Sequence, residues 1–216
     1  MNGNRKLNPF KVMVDPRGFM RSFDARVKKS HWLIAGIVGF VWLFGKFYLY
    51  SLGYRFSVVA LVIAALVLAI PVGLVIFNIS GFLLHLTGKI FRGQGNFSDL
   101  YSAFAWSRVP EFFQMLSWIG LLFFFGGYSF TPILIAQEQL TLTVIALLSV
   151  QIICSIWKSI ILFHTVGEVQ GFSAWVAIWN VIFAWVILLC IDYGFNLIIS
   201  AGLNYKIIAM QSFLHL

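Results

Sequence analysis

The reading of the fold turns on residues 56–88, FSVVALVIAALVLAIPVGLVIFNISGFLLHLTG, which carry no formal charge; the nearest are Arg55 and Lys89. A helix rises ~1.5 Å per residue, so this interval exceeds the ~30 Å hydrocarbon core of a bilayer. We read a membrane span over 58–79 whose helix continues into the adjoining interface, with a kink at Pro71 that neighbouring helices can accommodate. The chain agrees as a whole: 216 residues, 61% hydrophobic, 10% charged, with a mean hydropathy of +0.92. Soluble domains carry about 25% charged residues. The fold class that follows is all-α, an integral membrane protein.

Working outward, further apolar blocks predict spans over 32–50, 112–130, 142–164 and 174–199, a five-helix transmembrane bundle occupying 31–200. A basic segment (1–30) precedes it and a short tail (201–216) follows. Phe19, Met20, Phe23 and Val27 fall at helical spacing among Arg21, Arg26, Lys28 and Lys29. That pattern predicts an interfacial amphipathic helix on the membrane rather than a merely solvated tail. No cleavable leader is expected, because the first apolar run is a full span.

The net charge of +8 suggests nucleic acid until its distribution is read. Eight of the fifteen Lys and Arg precede His31, and Lys89, Arg92 and Arg108 fall on the same side of a five-span topology. Only Arg55 and Lys206, with Lys46 if it snorkels, lie on the other. Basic flanks face the cytoplasm and anionic lipid. The N-terminus is thus read as cytoplasmic and the C-terminus as non-cytoplasmic, with no nucleic-acid partner. Cys154 and Cys190 read as ordinary buried thiols at different depths.

Signatures of catalysis are absent: no GxSxG, HExxH, CxxC or GxxxxGK[ST] occurs, so neither a catalytic residue, a cofactor nor a metal is assigned. The polar stretch 91–110, FRGQGNFSDLYSAFAWSRVP, lacks the strand and lysine of a phosphate loop. Gly93 and Gly95 are read instead as letting the chain turn sharply at the membrane surface. From Ser98 a helix capped by Asn96 or Ser98 is expected to lie half-sunk in the interface, ending at Pro110.

Among intramembrane polar residues, Lys46 and Asp192 share an estimated depth and could pair, while Lys158 could reach Glu111 or Glu168. Asn78 and Asn196 complete a candidate polar path. Convergence of His85, His164, Asp99 and Glu168 on a metal is outweighed by their reading as interfacial polar groups. The turn 165–173, TVGEVQGFS, carries Glu168.

FRGQGNFSDLYSAFAWSRVPEFF together with IWKSIILFHTVGEVQGFSAW resembles the Yip1-domain membrane proteins. The likeness runs through Gly93, Gly95, Phe97, Val109, Pro110, Glu168, Val169, Gly171 and Ser173, with Asp99 inside the same loop. Two departures stand out: Arg92 where the loop's first glycine would be, and Ala174-Trp175 where a basic residue often follows. The resemblance implies five spans, a cytoplasmic N-terminus and a non-enzymatic scaffold or adaptor in membrane organisation or trafficking. Its partners would be the bilayer, a protein on the cytoplasmic face and a second copy of the chain. Eukaryotic relatives bind Rab-type GTPases and carry longer N-terminal regions. This chain looks like the compact bacterial members, hence an inner-membrane location rather than endoplasmic reticulum or Golgi. The competing reading is a transporter or channel for a small solute, ion or lipid.

Overall fold

The computed structural model of the chain describes residues 10–22, 29–131, 142–191 and 193–194. Every regular element among them is helical. Two short helices, α1 (Lys11–Val14) and α2 (Pro16–Arg21), lead in. Between them Asp15 caps α2 by accepting the Gly18 N–H at 2.9 Å, and Pro16 fills the first helical position, where its missing N–H costs nothing. Helix α3 (Lys29–Leu49) crosses to a short 3₁₀ turn, Leu52–Tyr54. Ser57 then caps α4 (Val58–Ile90), accepting the Ala60 N–H.

At 33 residues α4 is about 50 Å long, far beyond what hydrocarbon requires. Its last three turns stand clear of the 58–79 interval and build the end of the bundle where the polar residues gather. Helix α5 (Phe97–Ser107) follows, capped by Asn96 on the Asp99 N–H at 2.9 Å. After it come α6 (Glu111–Phe125), a 3₁₀ turn over Gly126–Phe130, and α7 (Leu142–Gln170). The last helix, α8 (Ala174–Ile191), closes the described bundle. Among the described residues, five helices are long and apolar enough to cross a membrane: His31–Leu49, Val58–Ile90, Glu111–Phe130, Leu142–Gln170 and Ala174–Ile191.

The core lies in two clusters. One, around α5, packs Phe19, Phe77, Leu100, Phe104, Trp106 and Leu162. The other, at the far end, centres on Phe44, whose ring lies 5.0 Å from Phe130 and 5.8 Å from Trp118. Between them α3 and α4 cross backbone to backbone. A side chain added at Gly39 would strike the Ala69 carbonyl, and one at Gly73 the Ala35 carbonyl. Ala35-xxx-Gly39 and Ala69-xxx-Gly73 are thus matched small-residue stripes, and close approach is how helices gain contact where lipid is as apolar as they are. Outward faces stay greasy, with Phe123 84% and Leu33 70% exposed.

Four expectations are revised. Helix α5 is not half-sunk in an interface: every residue from Leu100 to Ser107 is buried, packed against α3, α4 and α7. Periodicity showed its apolar face, but the small residues Ser102, Ala103, Ala105 and Ser107 let the rest be enclosed as well. The N-terminal helices spend Val12, Phe19 and Met20 on the bundle, with Phe19 5.0 Å from the Trp106 ring, while 23–28 lie outside the described residues. The 165–173 segment is helical through Gln170, so the turn proper is only 171–173. Cys154 is buried, but Cys190 faces outward.

Candidate functional site

The polar residues converge where α4, α5, α7 and α8 meet. Helix α4 ends by placing Arg92 in the left-handed region, φ 61°, so that the Gly93 N–H reaches the Gly88 carbonyl (2.8 Å) and the Arg92 N–H that of Lys89 (3.1 Å). Helix α7 ends identically around Gly171, φ 73°, with Phe172 donating to Gly167 (2.7 Å) and Gly171 to Glu168 (3.4 Å). Both are Schellman caps, which satisfy carbonyls the helix leaves orphaned. One uses glycine. The other forces arginine into glycine's conformation, at the position where the sequence departs from the resemblance.

Gln170, 2% exposed, ties the two ends together. Its side-chain oxygen accepts the Gly95 N–H at 3.0 Å, its amide donates to the Leu84 carbonyl at 3.2 Å, and its backbone carbonyl accepts the Gln94 N–H at 3.2 Å. Gly88 and Gly93 touch this carboxamide so closely that a Cβ on either would overlap it. Neither Gly93 nor Gly95 adopts a positive φ; Gly93 admits Gln170, and Gly95 lies against Val169. Nearby, the His85 Nδ1–H donates to the Gly95 carbonyl at 3.1 Å. Thr87 donates its hydroxyl to the Asn180 side-chain oxygen, and Asn180, fully buried, donates to Leu84 at 3.5 Å.

A second polar group joins α6 to α7. One oxygen of Glu111 accepts from Lys158 Nζ at 2.6 Å and from Arg108 at 3.2 Å. Gln114 and Gln151 exchange bonds with each other's backbone carbonyls at 2.8 and 3.1 Å, and Ser117 donates to Leu147 at 2.7 Å. Of the two partners open to Lys158, Glu111 is the one it meets. Glu168 instead holds Arg21 from α2, with two bonds of 2.6 and 3.1 Å. That hydrogen bond, with the carboxylate's charge, raises the Arg21 guanidinium pKa, and burial raises that of the Tyr101 phenol.

The remaining sequence candidates distribute as follows. Phe97 is 39% exposed at the start of α5, with Asp99 half-buried in its first turn. Val109 packs on the core and Pro110 is buried. Ser173 caps α8, accepting the Val176 N–H at 3.4 Å. Asn78 faces outward and donates to its own helix at Leu74, 2.8 Å away. Lys46 lies at the opposite end, its amine 5.3 Å from the Trp42 ring. Asp192 and Asn196 lie outside the described residues, as does the proposed pairing of Asp192 with Lys46. Among the described residues no three His, Cys, Asp or Glu cluster as metal ligands, so His85, His164, Asp99 and Glu168 are not brought together as such.

Gln170, Gln114 and Gln151 were not singled out from the sequence, and Asn180 is visible there only as a polar residue inside the fifth span. Glu111, Gln114 and Ser117 at intervals of three, opposite Gln151, Ser155 and Lys158, form a polar stripe on each of two apolar helices, and that periodicity was the available signal.

No curated protein and no solved structure matches the chain. The family model described as the Yip1 domain matches residues 10–191, from the first described helix to the end of α8. The chain therefore belongs to the Yip1 domain family of integral, multi-pass membrane proteins.

Proposed function

We propose that this protein is a non-enzymatic membrane scaffold that binds a protein partner through the end of the bundle built by α2, the 91–99 segment and the α7–α8 turn. One observation carries the reading: among the described residues, polar side chains inside the bundle are engaged across packed helices. Gln170 bonds to Gly95 and Leu84, Glu111 to Lys158 and Arg108, Gln114 to Gln151. A solute path needs polar groups turned toward water, whereas Asn78 faces outward and bonds to its own helix. What the junction leaves exposed is Arg92, Gln94, Phe97 and Ser173, a rigidly mounted surface of mixed chemistry. Lys11, Arg21, Lys89 and Arg92 beside it support a cytoplasmic position for this end.

A photoreactive amino acid at Phe97 should yield discrete protein adducts in native membranes, and one at Phe123 lipid adducts alone. Lipid adducts alone at both positions, or solute flux through liposomes carrying the purified protein, would sink the scaffold reading.

A further inference from the structure

Between α3, α4 and α8 a groove of about 650 Å³ runs from Lys46, toward the end of the bundle away from the polar junction, along α4 to Ser80. That lies within the roughly 300–1,000 Å³ of small-molecule sites. Its floor is Val72 and Ile76, and its rim is the exposed Pro71 with Val75, Ile79 and Leu189, the last three 56%, 45% and 67% exposed. In a membrane-spanning chain, side chains exposed at this depth are open to lipid. Among the described residues, Ser80, buried on the α4 side, and Lys46 are the charged or hydroxyl side chains that line it. The Lys46 amine lies over the Trp42 and Tyr50 rings, at 5.3 and 5.7 Å, and both aromatics are more than two-fifths exposed. Tryptophan and tyrosine beside a lysine mark the depth at which lipid headgroups begin.

We propose that this groove is a binding site for one phospholipid, its acyl chain lying along Val72, Ile76 and Leu188 and its phosphodiester accepting from Lys46 Nζ. The complementarity is twofold: a wall of aliphatic side chains suits a chain, and an ammonium at the mouth suits a phosphate. An ammonium has three donors, so it can serve a phosphate while holding another contact. The separation of roles also fits the fold. The groove lies beside the Gly39–Gly73 crossing, where two backbones touch and neither helix can lean in to fill the space.

The test uses the whole protein in nanodiscs doped with photoreactive phosphatidylglycerol or with photoreactive diacylglycerol of the same chains. Phosphatidylglycerol should label the 71–80 segment about fivefold more than diacylglycerol, the weight of one basic side chain against an anionic headgroup. Lys46→Gln should bring that ratio to about one. Val75→Trp, at an exposed rim position, should cut labelling by both lipids, whereas Ile152→Trp on the outward face of α7 should leave it unchanged. Equal labelling by the two lipids in the unaltered protein would overturn the proposal. So would labelling of Phe123 and Phe124 as strong as that of the groove, or crosslinks from Val75 to a second copy of the chain. None of these outcomes depends on a protein partner at the other end.

Discussion

Gln170 and Gly88 make the sharpest test of the junction, because the sign of one substitution should depend on the other. Gln170→Ala leaves the buried Gly95 N–H without its acceptor, and an orphaned buried group costs about 1–3 kcal/mol. The Leu84 carbonyl loses one donor but keeps its place in the α4 ladder, a smaller loss. With the void left by the carboxamide, the total should be about 2–4 kcal/mol. For a chain of this size that is a fall in Tm of roughly 5–15 °C, read by circular dichroism in detergent. Gly88→Ala alone also destabilises, because the new methyl overlaps Gln170 and nothing else. Overpacking of that kind costs about 1–3 kcal/mol. In the Gln170→Ala background the obstruction is gone, and alanine in a helix is better than glycine by about 1 kcal/mol. Gly88→Ala should therefore turn from destabilising to stabilising. Additivity of the two changes within about 0.5 kcal/mol would refute the account of how α4 and α7 are joined.

Other substitutions probe the remaining contacts. Arg92→Gly relieves a left-handed arginine and should raise stability by about 1 kcal/mol, whereas Gly171→Ala at the matching cap should lower it by a similar amount, both read as Tm shifts. Gly73→Leu drives a side chain into the Ala35 carbonyl and should cost about 3 kcal/mol or more, seen as loss of the monodisperse species on gel filtration. Glu111→Gln strands Lys158, whose side chain is only 19% exposed, and should cost about 3–5 kcal/mol. Adding Lys158→Met should recover most of that loss; no recovery would mean that the pair is not the source of the effect.

The uncharged run between Arg55 and Lys89 was enough to read α4, and hydropathy with charge flanks was enough for the five-helix bundle. These properties are summed over many residues and survive local irregularity. Burial of α5 was not legible, because enclosure on all sides depends on what α3 and α7 contribute, and periodicity reports only one helix at a time. The motif residues lie at the end where the polar side chains converge, but do not include Gln170, which joins its helices. Gly93 is visible because it is a glycine, whereas Gln170, which explains why it must be, looks in one dimension like any polar residue before a turn. Arg92 is the converse. Its departure from the resemblance was plain in the sequence, but only the dihedral shows that it holds a conformation made for glycine.

The burial of α5 also imposes an order in time. It emerges from the ribosome directly after α4, but α7, which covers one of its sides, is completed about 60 residues later, roughly 3–12 s at about 5–20 residues per second. For that interval α5 has α3 and α4 beside it and an open flank bearing part of what will become interior surface. The C-terminal half of the bundle is thus the closing half, and the junction at Gln170 forms only when the last turn of α7 has been made.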